Sequence, residues 1–360
     1  MVYFYEGKKN LREIDPGQLA KVNALKESLK PRGLLGSYAT LTDLQTQLDL
    51  HVTRLGYEFA DRQAATADVA PDGTGAATVV SIVELVKALR DSLSNKQPIV
   101  THDLITLEVE RVHGALERDG NYPIGSESSS EEIEKALPAF EMLSERLMAL
   151  FVEGGRWADR SNFEPWIGGL SALCDLPQPN PHVVQPGFKI NLHRYPALLG
   201  LYAGGITAVA TRRYEAFAEL LMGTRIRDCY GNAVPTVLAV NTYNIMENDR
   251  QKTLPSWKDR WTPFSAYLSS NDRLRSAVGA YVRGEEAFVD AFDRFEYLLG
   301  VLYWEQSGKY FKSNWAPAGA FAWRDRNRDW DPRRMPAVVS VWEELERDND
   351  SWPLLKTGLF

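Results

Sequence analysis

Phe288, Val289, Phe292, Phe295, Leu299 and Leu302 recur at the three-and-four spacing that gathers side chains on one face of an α-helix. A strand alternates with period two and cannot collect them, so this stretch is a helix turned toward a core. Asp290, Asp293, Arg294 and Glu296 fall largely off the stripe. Asp290, Asp293 and Glu296 could in principle hold a cation or share a proton, but with Arg294 among them they read as a solvated face.

The same period returns elsewhere. Val79, Ile82, Val83, Val86 and Leu89 share a face, with Ser81 and Glu84 spaced as a capping box. Ile105, Val109, Val112 and Leu116 follow Thr101. Ser129 and Glu132 open a third helix with Ile133, Leu137, Phe140, Leu147 and Phe151, which Pro138 is expected to kink or restart and Gly154 and Gly155 to end. Ala197 to Ala210 is apolar but shorter than the roughly 18 residues needed to cross a membrane, so it reads as a buried helix whose Gly204 and Gly205 permit close packing. All ten tryptophans lie at or after Trp157, which predicts a C-terminal part packed around large aromatics and a first part packed with aliphatics.

The front end is different. Val2 to Tyr5 reads as a short strand ending at Gly7. Asp15, Pro16 and Gln18 open a helix carrying Leu19, Val22, Leu25 and Leu29, which Pro31 and Gly33 stop; a second helix near Thr42 carries Leu41, Leu44, Leu48, Val52 and Leu55. One strand and two helices cannot enclose a core alone. The expected class is therefore mainly α: a helical C-terminal domain with a short α/β N-terminal segment. The segment covers 1–59, a linker rich in Ala, Asp, Gly and Thr covers 60–77, and the helical domain covers 78–360. Pro177, Pro179, Pro181 and Pro186 mark a sub-boundary at 177–187.

At 360 residues, 44% hydrophobic and 25% charged, the chain has the composition of a globular protein of two domains. Two cysteines, Cys174 and Cys229, without CxxC spacing support neither a disulfide framework nor a zinc module, and point to a reducing cytoplasm. A secretory signal is not expected at the N-terminus. A net charge of -7 disfavours nucleic acid and anionic membrane as partners.

Two stretches carry a resemblance. Val2 to Tyr5, Ile14-Asp15-Pro16, Leu19, Lys26, Leu29, Gly33-Leu34, Tyr38 and the helix ending near His51 together resemble the C-terminal end of a TIR-related α/β domain of unknown function. That domain often forms the N-terminal effector-like unit of bacterial signalling and conflict proteins, including STAND-type NTPases. The resemblance implies a partial domain without its earlier strands, where a catalytic or ligand-binding loop would lie. The stretches Tyr195–Leu221, Asp293–Gln306 and Trp315–Arg324 are similar to an uncharacterised helical region attached to bacterial effector-type domains. It has no assigned catalytic residues to carry over.

Candidate chemistry is sparse. Gly73-Thr74-Gly75 precedes a helix as a phosphate-binding turn would, but no strand precedes it, Thr78 stands where a third glycine belongs, and no P-loop lysine follows. Glu110 and His113 form one half of the paired E-x-x-H motif of di-iron bundles; with Glu117 they read as a solvated face. His193 reads as a packed or capping histidine, since no nucleophile motif accompanies it. Arg212 and Arg213 read as charges complementing the dipole of the helix they follow. Trp323, Arg324, Arg326, Arg328 and Trp330 lie in a stretch that interleaves five arginines with two tryptophans and three aspartates. Salt bridging and packing come first for it, then protein interaction, then nucleotide or nucleic-acid binding.

No motif supplies a nucleophile, a base and an anion hole together. The sequence therefore points to a non-catalytic regulatory or protein-interaction module of a bacterial antiphage or conflict system, binding a protein partner or itself, without catalytic residues, cofactor or metal. The alternatives are an effector hydrolysing NAD or a nucleotide whose catalytic half lies outside this chain, and a nucleic-acid-binding module.

Overall fold

The computed structural model describes residues 2–5, 21, 35–38, 81–118, 122, 129–175, 192–223, 225–227, 232–246, 251–257, 259, 261–313, 315–317 and 319–322. The chain divides into two compact units, Met1–Val79 and Val80–Phe360.

In the first unit β1 (Val2–Tyr5) pairs in parallel with β2 (Leu35–Tyr38), Tyr3 opposite Gly36 and Phe4 opposite Ser37. The sequence reading had one strand here. Leu34-Leu35-Gly36-Ser37-Tyr38 has two glycine neighbours and too little alternation to announce a strand, and pairing with β1 supplies what the pattern lacks. The two helices expected around this strand, apart from helical Lys21, and the linker at 60–77 lie outside the described residues.

The second unit is helical. Its longer elements are α1 (Ile82–Ser94), α2 (Pro98–Arg118), α3 (Ser130–Trp157), α4 (Glu164–Cys174), α5 (Tyr195–Ala210) and α6 (Tyr214–Met222). A small antiparallel pair follows, β3 (Arg225–Arg227) with β4 (Ala233–Pro235), then the single turns α7 (Thr236–Ala239) and α8 (Thr242–Ile245). Two short helices, α9 (Pro263–Ser269) and α10 (Asp272–Val278), lead to the 27-residue α11 (Glu285–Phe311) and a final 3-10 turn at Ala320–Ala322.

Both capping boxes form. The Ser81 and Ser129 hydroxyls accept the backbone N–H of Glu84 and Glu132, whose carboxylates accept the cap N–H in return. At the other ends of α1 and α5 the chain leaves through Lys96 and Arg212 at φ 53° and 57°. Gln97 N–H then reaches Ser92 C=O and Arg213 N–H reaches Ala208 C=O, the Schellman pattern in which glycine is the usual occupant of the left-handed position. Lys312 ends α11 at φ 53°.

α3 and α5 form the central pair, and glycine explains their contact. A Cβ at Gly155 would overlap the Gly204 carbonyl oxygen; one at Gly205 would enter the Phe295 ring of α11, and one at Gly154 the Trp166 indole. These two α3 glycines thus do not end the helix as expected but continue it to Trp157, because their role is close approach. Nor does Pro138 divide α3, which is one element from Ser130. α5 is buried along its length from Tyr195 to Val209. Among the described residues no helix is long and apolar enough to cross a membrane.

One continuous hydrophobic cluster runs from Leu85 to Tyr303. Its largest fully buried members after Trp166 are Tyr195, Tyr202 and the phenylalanines at 140, 151, 163, 217, 264, 288, 292 and 295. Tryptophan is not the core aromatic that its distribution suggested. Of the six described tryptophans only Trp166 and Trp257 are buried, whereas Trp157, Trp261, Trp304 and Trp315 are exposed.

Two of the buried carboxylates are paired with arginine. Glu153 of α3, only 2% exposed, receives Arg90 of α1 through two 2.7 Å bonds, and the Tyr281 hydroxyl donates to it while accepting Trp157 Nε1–H at 2.9 Å. Glu108 of α2 holds Arg111 and Arg146, each through a 2.8 Å bond.

Candidate functional site

Where α8, α9 and the chain after α11 converge there is a cavity of about 250 Å³, bordered by Tyr243, Lys252, Trp261, Thr262, Ser265 and Trp315. The helical period explains the carboxylate that stands behind Ser265. Glu296 sits four residues after Phe292 and three before Leu299, so α11 turns it inward with the apolar stripe, and it is 3% exposed. Its expected place on a solvated face is corrected accordingly; Asp290 does face out and pairs with Arg294 at 3.0 Å.

Glu296 gathers donors from three elements. The Ser265 hydroxyl of α9 lies 2.6 and 2.7 Å from its two oxygens, the Tyr202 hydroxyl of α5 donates at 3.0 Å, and Ala320 N–H of the final 3-10 turn donates at 3.0 Å. Ala320 N–H also reaches Ser265 Oγ at 2.7 Å. Burial pushes the Glu296 carboxyl up to about 7, reinforced by nearby Asp293, against the pull of the three donors. Burial and the same carboxylate push the Tyr202 phenol well above its ordinary range, so it remains a donor. The cluster can exchange a proton near neutrality. Its geometry is that of a latch fixing the 319–322 turn to α9 and α11, with Ser265 presented to the cavity.

The cavity wall is braced. Trp315 packs on Tyr243 at 4.8 Å and edge-on to Tyr303 at 5.7 Å, and the Ser307 hydroxyl lies 3.0 Å from the carbonyls of both Ser313 and Trp315. Gln251, 2% exposed, spends its amide on Met246 C=O and Phe264 N–H.

The other sequence candidates disperse. Trp323, Arg324, Arg326, Arg328, Trp330 and the Gly73–Thr78 turn lie outside the described residues. Glu110 is exposed and His113 half-buried on α2; desolvation lowers the His113 pKa against the nearby carboxylates. Among the described residues no three His, Cys, Asp or Glu side chains gather as metal ligands. His193 is 5% exposed, and neither ring nitrogen has a hydrogen-bond partner among the described residues. Burial, helped by adjacent Arg194, lowers its pKa to about 4. The Cys174 thiol is pushed up to about 12 by burial, which keeps it protonated and poorly nucleophilic. The Arg213 guanidinium, at the end of α5, donates to Ala158 C=O, the C-cap of α3, at 2.8 Å.

Three buried acids besides Glu296 escaped the sequence reading. Glu141 of α3 accepts the Tyr195 and Tyr267 hydroxyls at 3.0 and 2.6 Å, and burial raises its pKa against those bonds. Glu108 and Glu153 are the others. A signal existed for Glu141 and Glu296, since each stands four residues after an apolar core position, Leu137 and Phe292. The chain matches no family model, no curated protein and no solved structure.

Proposed function

We propose that the helical unit is a non-catalytic interaction module that binds a protein partner or a second copy of itself through the C-terminal end of α11. One observation carries this reading. Trp304 and Phe311, seven residues apart and so on one helix face, are 51% and 42% exposed, and Gly308 between them leaves a notch with no side chain. Tyr310, 40% exposed, flanks them under the guanidinium of Arg225. Large aromatics beside a shallow notch and an arginine are the composition of binding hot spots, where a few side chains supply most of the energy. Core burial offers these side chains nothing in the unit itself.

The test is sedimentation of the full chain over a range of concentrations, alone and with the products of neighbouring genes. The expected result is a mass above the 40.6 kDa of one chain, or a stoichiometric complex, that is lost in the double variant Trp304→Ser, Phe311→Ser. A chain that sediments as one copy throughout and forms no stoichiometric complex overturns the reading, as does assembly indifferent to the double variant.

A further inference from the structure

We infer that Arg194 and His193, on the turn that leads into α5, form an internal binding site for a free inorganic oxyanion of sulfate or phosphate size. The inference rests on a buried positive charge that the described residues leave without a counter-charge.

The 3-10 turn Leu192–Arg194 runs directly into α5, and both side chains are only 5% exposed. Arg194 Nη2 donates to Arg227 C=O of β3 at 2.7 Å. Arg194 Nε and both ring nitrogens of His193 are buried and meet no hydrogen-bond partner among the described residues. Unsatisfied nitrogens on two adjacent residues depart from the rule that buried polar groups are hydrogen-bonded.

Charge sharpens the departure. The buried acids are accommodated within the chain: Glu108 and Glu153 hold arginines, while Glu141 and Glu296 accept hydroxyl protons and have their pKa raised by burial. Arginine lacks that second escape, because its guanidinium keeps its proton at any ordinary pH. Two neighbours are placed to serve as its anion, and neither does. The Cys174 thiol lies close enough to feel the Arg194 charge, yet burial pushes it up to about 12 and so keeps it neutral. Asp175, next in the chain, is exposed and forms no ion pair with Arg194 among the described residues. A water molecule would satisfy the N–H groups but would not cancel a full charge in the interior, where an uncompensated ion is costly.

The donors select the kind of anion. A guanidinium presents its N–H groups in a rigid plane that matches the paired oxygens of an oxyanion, and a neutral imidazole adds one further N–H. A halide would use the charge and waste the plane. The start of α5 favours the same ligand, since its first turn holds no acidic residue and Arg194 at the N-cap makes no side-chain cap bond. With both side chains so deeply buried there is no open groove to admit a phosphate carried on a larger molecule, so the ligand is the free ion.

Isothermal titration of the full chain with sodium sulfate and with sodium phosphate, in a chloride background of constant ionic strength, tests the inference. Both oxyanions are expected to bind saturably despite the excess chloride. Arg194→Gln is expected to weaken binding about tenfold or more and His193→Leu about fivefold. Lys87→Gln, which removes an exposed cation of α1, is expected to leave it unchanged. Urea unfolding supplies a second reading: sulfate is expected to raise the midpoint of the unaltered chain more than that of Arg194→Met, its general stabilising effect being common to both. Where a variant does not fold, saturation of the unaltered chain decides. Absence of saturation by either oxyanion overturns the inference, as does affinity indifferent to both Arg194→Gln and His193→Leu, an equal loss in Lys87→Gln, or an equal sulfate shift in Arg194→Met.

Discussion

Glu296 and His193 are both buried and both displaced in pKa by desolvation, yet they tilt stability in opposite directions with pH. The Glu296 carboxyl titrates near 7 in the folded chain against 4.5 ordinarily. Between those values the unfolded chain has released a proton that the folded chain keeps, so stability falls as pH rises, by about 3 kcal/mol across the window. His193 titrates near 4 folded and 6.5 ordinarily. There the unfolded chain holds a proton that the folded chain lacks, so stability rises with pH, again by about 3 kcal/mol. Urea unfolding at intervals from pH 4 to 7.5 reads both. Relative to the unaltered chain, Glu296→Gln is expected to gain stability as pH climbs from 4.5 to 7, and His193→Leu to lose it from pH 4 to 6.5. Curves parallel to the unaltered chain would show that these two residues are not the source.

At the scale of elements the decisive contact is the glycine seam between α3 and α5. Alanine at Gly155 adds one methyl where the Gly204 carbonyl already stands, and two long helices cannot separate locally without disturbing Phe151 and Phe295. Gly155→Ala is expected to destabilise the helical unit by about 3 kcal/mol, the upper end for overpacking, measured by chemical denaturation. A loss below about 0.5 kcal/mol, the ordinary surface range, would mean that the seam is loose. Such contacts mark the boundary of what was legible in the sequence. Helix starts were, because Ser81 with Glu84 and Ser129 with Glu132 are local signals that satisfy the first N–H groups. The apolar stripe of α11 was as well. Gly154 and Gly155 misled because glycine both ends helices and lets them touch, and only the partner helix distinguishes the two. Pro138, expected to kink or restart the helix, does not interrupt it, since packing on both sides outweighs one missing hydrogen bond. The cavity was illegible: Tyr243, Trp261 with Ser265, and Trp315 come from three separate stretches of chain, and no spacing rule joins all of them.

Taken whole, the helical unit has one continuous core with phenylalanine and tyrosine inside and four of the six described tryptophans outside. Since every tryptophan of the chain lies at or after Trp157, indole fluorescence reports on this unit alone. Burial of Trp166 and Trp257 in one cluster predicts a single cooperative fluorescence transition on denaturation; two resolved transitions would mean that the core divides. The helix exits give the molecule one more property. Lys96, Arg212 and Lys312 adopt a backbone pose that L-residues disfavour, and all three are basic. The fold thus places cations beside the carbonyl-rich ends of α1, α5 and α11 at some conformational strain, and a relative that turned there on glycine would relax the backbone while stripping positive potential from three corners of its surface.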